Sequence, residues 1–418
     1  MRMLSLFLSL FVAAAAFAGN VSVKDFGAAG DGVTYDTKAV QAAIDYAAAQ
    51  GGVVTVPAGT YLCGSIWLRS NVELHLDAGA VIKGSPDIKD YCPADCCPQN
   101  EAEAGHGDYI SGGHLLLGVG VQNVTLSGSG RIDGNSDAFL LDAEGKCYAK
   151  KSLIPARPSQ MVWFVDSKNI TIKGIELANA PYWSCFILNC SDVIVDGCYI
   201  HTHRKDYHTF NGDGLDIDRS CNVTISNCLI DTSDDSITLR ASSAHLLENP
   251  RDCANVTVTG CTLSSSCNAI RIGVGEGHIH DAVLSNITIA DTNTAFNIVG
   301  AYEKNGRGTD IDGILLKDIK VQANELVRIH HMRSKACTIR DITFEDISGL
   351  APNVSHIWGR KAAPFRGIVF RNVNVPASYE CVDAHVKVYG GLFREKHLPA
   401  AEMKLRRERI EAEKKLLY

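Results

Sequence analysis

The chain has 418 residues, 46% of them hydrophobic, with 37 Gly, 12 Pro and a formal net charge of −7. That length allows two average domains or one large repetitive one. A mildly acidic balance with no basic run in the body argues against nucleic acid as a partner and is neutral toward sugars.

Residues 1–18 read as a secretory signal: Arg2, an apolar run over Leu4–Ala16, and a small-residue cleavage site at Ala16-Phe-Ala18 before Gly19. The run is too short for a membrane span, and no later segment reaches the roughly 18 apolar residues that one needs. An exported or periplasmic protein with no membrane span is expected. Losing Arg2 with the signal takes the charge from −7 to −8.

After the opening Val23-Lys-Asp-Phe-Gly, one amphipathic helix is predicted over residues 36–50. Asp36 is its N-cap, Val40, Ile44 and Ala47 share a face, and Gly51-Gly52 stops it. Everything beyond reads as strand and turn. Val53–Pro57, Tyr61–Leu68 and Val72–Leu76 alternate at period two.

From there one phrase returns: a polar turn, a short strand, one Gly or Asn, and another short strand. It stands at Gln122-Asn-Val-Thr-Leu-Ser-Gly128, Lys168-Asn-Ile-Thr-Ile-Lys-Gly174, Ser191-Asp-Val-Ile-Val-Asp-Gly197, Cys221-Asn-Val-Thr-Ile-Ser-Asn227 and Ala254-Asn-Val-Thr-Val-Thr-Gly260, with weaker copies to residue 372. No such unit can bury its apolar face alone, so the copies must stack. Period-two Val/Ile/Thr runs exclude helical repeats, and the leucine-rich and propeller frames are absent. A single-stranded right-handed parallel β-helix of about ten coils remains, an all-β fold over residues 19–391 with the helix as its N-terminal cover. Leu392–Tyr418 is a charged helical segment that either caps the last coil or stays a solvated tail.

Inserts between coils are expected at Ser85–His114, Asp137–Ser159 and Ile200–Asn211. Tyr91, Tyr109, Tyr148, Tyr182, Trp183 and Tyr207 lie in or beside them; each either stacks on a sugar ring or simply packs. Among the 15 cysteines, Cys190, Cys198, Cys221, Cys228, Cys253 and Cys261 recur in strand-like text and read as buried thiols. Cys92, Cys96, Cys97 and Cys147 lie in loop-like text, where one disulfide is plausible.

Three acids stand apart from this ladder. Asn169, Asn222 and Asn255 recur at one phase and read as turn residues. Asp213, Asp234 and Asp235 lie at another phase, each at the lip of a β-branched run. Sliding the second run back by 22 residues lays Asp235 on Asp213 and Ile237 on Leu215, so the acids stack if each run is one strand of a coil. Adjacent Asp234 and Asp235 would point to opposite sides of a regular strand, so a kink is needed to bring them together.

These residues resemble glycoside hydrolase family 28, the polygalacturonase family of pectin-degrading β-helix enzymes, from the Val23-Lys-Asp-Phe-Gly opening to about residue 300. That family carries Asn-Thr-Asp-Gly, Gly-Asp-Asp, Gly-His-Gly and Arg-Ile-Lys motifs on successive coils. Asn211-Gly-Asp213-Gly214 matches the first with Thr replaced, and Ser233-Asp234-Asp235 the second with Gly replaced; both keep their acids. The resemblance implies Asp234 as proton donor, with Asp213 and Asp235 holding and activating water. The other two motifs fail. Ser266-Cys267-Asn268 stands where Gly-His-Gly is expected, with Cys267 in the histidine slot, and Asn297-Ile298-Val299 replaces Arg-Ile-Lys. The family's cations meet a substrate carboxylate, so a divergent member is implied, one that does not act on plain polygalacturonate.

The expected catalytic residues are Asp213, Asp234 and Asp235, and the expected substrate-binding residues are Asn211, Arg271, His208, Asn297 and Tyr302. Arg271 supplies a replacement cation, and His201, His203, Arg204, Lys205 and His208 form a second basic cluster. Inversion at a glycoside needs one protonated acid and one ionised base with water between them, and clustered carboxylates raise one another's pKa. The leading expectation is an exported, inverting, monomeric hydrolase of a pectin-type polysaccharide or oligosaccharide, with no cofactor or metal. A polysaccharide lyase, needing a Ca²⁺ cage and a basic residue, and a noncatalytic glycan-binding β-helix are the alternatives.

Overall fold

The computed structural model describes residues 20–93, 96, 111–148, 155–202, 211–242, 245, 247–302, 307–333 and 337–412. The expected leader, Cys97, Tyr109, Tyr207 and four of the five residues of the second basic cluster, His203, Arg204, Lys205 and His208, lie outside them.

The repeated phrase is the stacking unit. Gln122–Gly128, Lys168–Lys173, Ser191–Asp196, Cys221–Ser226 and Cys253–Thr259 pair in parallel, each with the next. The ladder runs on through His278–Val299, Asp310–His330, Arg340–Leu350 and Phe365–Arg371. Val124, Ile170, Val193, Val223, Val256, Ala282, Ile314, Ile342 and Ile368 stack in one buried column. Period two sends every second side chain inward, and only the column makes a continuous apolar core of them. The result is the expected right-handed parallel β-helix.

The Asn positions behave as read. Asn71, Asn123, Asn169, Asn222 and Asn255 all take left-handed backbone. The Asn123 amide donates to Asn71 at 2.7 Å, Asn169 to Asn123 at 2.8 Å and Asn255 to Asn222 at 3.2 Å. Asn and Asp tolerate positive φ better than other L-residues and can bond along the stack, so Asn, or Asp as at Asp192, Asp281 and Asp341, makes this turn.

A second ladder carries the acids. It runs through Val162–Val165, Cys185–Leu188, Leu215–Asp218 and Ile237–Ala241, then parts of Thr262–Gly275, His278–Val299 and Asp310–His330, and on through Ser355–Trp358 and Ser378–Val382 to the short Arg394–Glu395. Leu215, Ile217, Ile237, Leu239, Ile270 and Ile272 face the core, fully buried. The alternate residues face out.

The N-terminal helix spans Thr37–Ala48 and buries Val40, Ala43, Ile44 and Ala47. Asp36 precedes it but does not cap it: its carboxylate accepts from the Ala29 and Gly30 amides at 2.6 and 2.9 Å instead. The expected run Tyr61–Leu68 breaks into Gly59–Cys63 and Ile66–Trp67. A short helix, Asp137–Leu140, opens the insert expected at Asp137–Ser159.

The C-terminal helix, Ala400–Glu411, is neither an end cap nor a solvated tail. Ile410 is buried with Trp358 and Val382, which share an outward row of the second ladder, and Met403 packs beside them. Arg406 Nε reaches Glu380 at 3.2 Å and Arg407 Nη2 reaches Asp383 at 2.7 Å. The helix therefore lies along the outer face of the last coils. The end of the core is filled by the clustered rings of Phe370, Tyr379 and Phe393.

Cys190, Cys198, Cys228, Cys253 and Cys261 are buried free thiols, and Cys221 is half-buried. Cys96 Sγ donates to Cys92 Sγ at 3.2 Å, and no disulfide joins the two.

Candidate active site

Three consecutive coils bring the acids together. The Gly214 amide donates to the Asp235 carbonyl at 2.9 Å and the Ser236 amide to Asn268 at 2.9 Å, so Asp213, Asp235 and Asn268 stack in one row. The row continues through Thr294 to Glu325. Cys267 falls one residue earlier, beside Asp234. The histidine slot assigned to Cys267 from the sequence is thus corrected: Asn268 stacks on Asp235 and donates to its Oδ1.

The required kink is present. Residues 233, 234 and 236 are bends, and the strand begins only at Ile237. Two hydroxyls hold the turned peptide, Thr232 Oγ1 at 2.7 Å and Ser265 Oγ at 2.6 Å from the Asp234 carbonyl. Gly214 permits the close approach of the next coil, since a Cβ there would lie 2.5 Å from the Ser236 carbonyl. As a result one ligand atom each of Asp234, Asp235 and Cys267 lie within 4.8 Å of one another, which among the described residues makes them a group that could hold a metal ion.

The three acids sit in different surroundings. Asp213 is buried, and its Oδ1 has no hydrogen-bond partner among the described residues. Burial, and then the negative charges of Asp234, Asp216 and Asp235, push its pKa well above the ordinary carboxyl value against the opposing pull of Arg240. Asp235, also buried, meets a cation: Arg271 Nη1 stands 2.9 Å from its Oδ2. Asp234 is half-exposed, with Asn211 Nδ2 at 3.4 Å from its Oδ2. Cys267 is pushed up by burial and then by the charges of Asp234 and Asp235, which keeps it a neutral thiol.

The outward row beside the acids runs Phe186, Asp216, Thr238, Arg271, Asn297, Arg328, His356, Glu380. Arg271 lies over the Tyr302 ring, 4.5 Å from its centroid, and Asn297 Oδ1 is 3.3 Å from His330 Nε2. Burial, then the positive charges of Arg328 and Arg271, hold His330 well below the usual imidazole range. Glu325, in the acid row, accepts from Arg328 and, at 2.8 Å, from His356 Nδ1. Glu325, Arg328, His330 and His356 were not picked out from the sequence. No fixed offset links them, since the row steps by 33, 26 and 31 residues from Thr238 to Arg271, Asn297 and Arg328.

Of the expected substrate-binding residues, Asn211, Arg271, Asn297 and Tyr302 join this network, while His208 lies outside the described residues. His201 does not join it, since its Nε2 pairs with Glu176 at 2.8 Å on the neighbouring coil. Tyr182 and Trp183 are buried against each other with centroids 4.8 Å apart, and Arg240 sits 4.5 Å over Trp183. Tyr91 is buried too and donates to the Ser85 carbonyl at 2.9 Å. These three rings pack the protein.

The sequence is 29% identical over 231 residues to a probable polygalacturonase of Vitis vinifera, covering 54% of this chain and 45% of that protein. It is 27% identical over 262 residues to an exo-poly-alpha-D-galacturonosidase of Dickeya chrysanthemi, covering 53% and 42%. The chain thus spans less than half the length of these two relatives. The hyperthermoactive exopolygalacturonase of Thermotoga maritima has the same fold, with a TM-score of 0.71 at 20% identity, covering 90% of this chain and 91% of that one. The sequence pattern of glycosyl hydrolases family 28 matches residues 54–388, and over that span, which includes every acid of the groove, the chain belongs to that family.

Proposed function

We propose that this protein is an exported glycoside hydrolase that cleaves a pectin-type polysaccharide or oligosaccharide with inversion, acting as a monomer. The observation that carries the reading is the convergence of Asp213, Asp234 and Asp235, from adjacent coils, in three different environments. Asp234, the half-exposed acid, protonates the glycosidic oxygen as the C–O bond breaks. Asp235, facing Arg271, acts as the carboxylate that takes a proton from the attacking water. Asp213 holds a proton at rest and with Asp235 positions that water; a proton moving back to Asp234 resets the site.

Two features favour a substrate other than plain polygalacturonate. Asn297 replaces a cation of the family motif, and the cations that do line the row already face carboxylates of the protein: Arg271 faces Asp235 and Arg328 faces Glu325. A lyase is less well supported, because a Ca²⁺ cage takes oxygen ligands and the cluster here includes the Cys267 sulfur.

The test is turnover on a panel of pectic polysaccharides, following reducing ends and anomeric configuration by NMR. Inverted product is expected, and Asp234→Asn should lower the rate by about a hundredfold or more with the fold intact. Retained configuration would refute the mechanism. An ultraviolet-absorbing unsaturated product would select the lyase, and no turnover would select a glycan-binding protein.

A further inference from the structure

The geometry points to a transition-metal site formed by Asp252, His278 and His280, outside the catalytic groove. His278 and His280 flank the fully buried Ile279 in a strand, so period two puts both rings on the outer face. Their centroids lie 4.3 Å apart. Cys253 pairs with Ile279, which sets Asp252 beside His278 on the preceding coil. Asp252 Oδ2 is 3.8 Å from His278 Nδ1 and 3.6 Å from His280 Nε2, and one ligand atom from each residue lies within 4.8 Å of the other two.

The outer nitrogen of each ring is already committed. His278 Nε2 bonds Asp312 Oδ2 at 3.1 Å, and His280 Nδ1 bonds Asp281 Oδ2 at 2.7 Å. Asp312 is itself held by Arg340 Nη2 at 2.8 Å. A ring that donates its outer N–H to a carboxylate turns its other nitrogen's lone pair inward, the outer-shell pattern of metal-bound histidine. In the neutral tautomers those outer bonds select, two imidazole lone pairs and a carboxylate oxygen converge on one point. Hydrogen bonds would draw the atoms to roughly 3.2 Å or less. The observed separations lie closer to the edge of a tetrahedron of 2.0–2.1 Å bonds, about 3.3–3.4 Å.

Two imidazoles and one carboxylate suit Zn²⁺, Co²⁺, Ni²⁺ or Cu²⁺ rather than Ca²⁺ or Mg²⁺. The rings are about one-third and one-quarter exposed, which leaves a path for the ion and room for water as a further ligand. A bound ion would clip residue 252 to the strand of the following coil, with Asp312 buttressing it from the coil after.

The full-length protein, stripped with chelator, should be titrated with Co²⁺ while its visible absorption is followed, and with Zn²⁺ by calorimetry. One ion per chain is expected at this site, with a rise in melting temperature on adding Zn²⁺. His278→Ala and His280→Ala should abolish both signals, and Asp252→Asn should weaken binding by roughly tenfold or more. Each variant's own metal-free melting temperature is the baseline against which its response to Zn²⁺ is read. Cys267→Ala serves as the control for the groove cluster of Asp234, Asp235 and Cys267 and should keep the ion. Absence of binding, binding that survives both histidine substitutions, or binding lost only in Cys267→Ala would each overturn the assignment. None of these readouts depends on hydrolysis, so their failure is distinct from failure of the proposed activity.

Discussion

Asp213 is the residue where burial and charge act in the same direction. Its carboxyl is sealed from water, meets the negative charges of Asp234, Asp216 and Asp235, and holds its proton well above the ordinary range. Because the folded pKa exceeds the unfolded one, the folded state binds more protons as pH rises between them. Stability from this group is complete below the unfolded value of 3.8 and is lost as pH climbs through the raised folded pKa. Asp213→Asn removes the titration while keeping the shape. Melting curves of the two proteins from pH 4 to pH 8 should therefore diverge, the variant gaining on the wild type as pH rises. Parallel curves would mean that Asp213 is ionised in the fold. Asp213 was legible in the sequence because its motif and spacing survive. The residue stacked on Asp235 was not: the strand starts late, at Ile237, and a one-residue difference in counting across the 233–236 bends exchanges Cys267 for Asn268.

The repeating elements and the one strongly amphipathic helix, Thr37–Ala48, were readable, and the weakly patterned C-terminal segment was not. Each coil must offer the same inward column, so Val124, Ile170, Val193 and Val223 announce one another through the same short phrase, although the spacing between copies varies. The C-terminal helix has no such echo. Its apolar anchors are Ile410 and Met403, and the rest of its docking is ionic, through Arg406 with Glu380 and Arg407 with Asp383. A hydrophobic stripe that narrow cannot be told from a solvated segment by pattern. The contact with Trp358 and Val382 nevertheless gives Ile410→Ala a definite expected effect, a loss of about 2 kcal/mol of docking free energy. Amide exchange across residues 400–411 should then speed up by roughly thirtyfold, while the amides of residues 215–241 keep their protection. Unchanged exchange in the helix would mean that its ion pairs, and not Ile410, hold it down.

At the scale of the whole molecule, the outward row changes character along the solenoid axis. Phe186 and the Trp183–Arg240 stack stand on one side of the acids, and Arg271, Asn297, Arg328 and His356 on the other. A row of exposed cations would steer an acidic chain into the groove, and that attraction would weaken as salt shortens the screening length. Here Arg271 stands against Asp235, Arg328 against Glu325 with His356, and the protein as a whole carries −7. Among the described residues, the cations of this row are thereby already paired before any substrate arrives. Between about 20 and 300 mM NaCl, kcat/KM on a uronate-containing chain should vary by no more than roughly twofold, the same as on a neutral oligosaccharide. Glu325→Gln removes the carboxylate that faces Arg328 and should restore a steep salt dependence for the acidic chain alone, chiefly in KM. A wild-type rate that already falls tenfold over that range would show that the groove presents free positive charge, and would return polygalacturonate to the front of the substrate list.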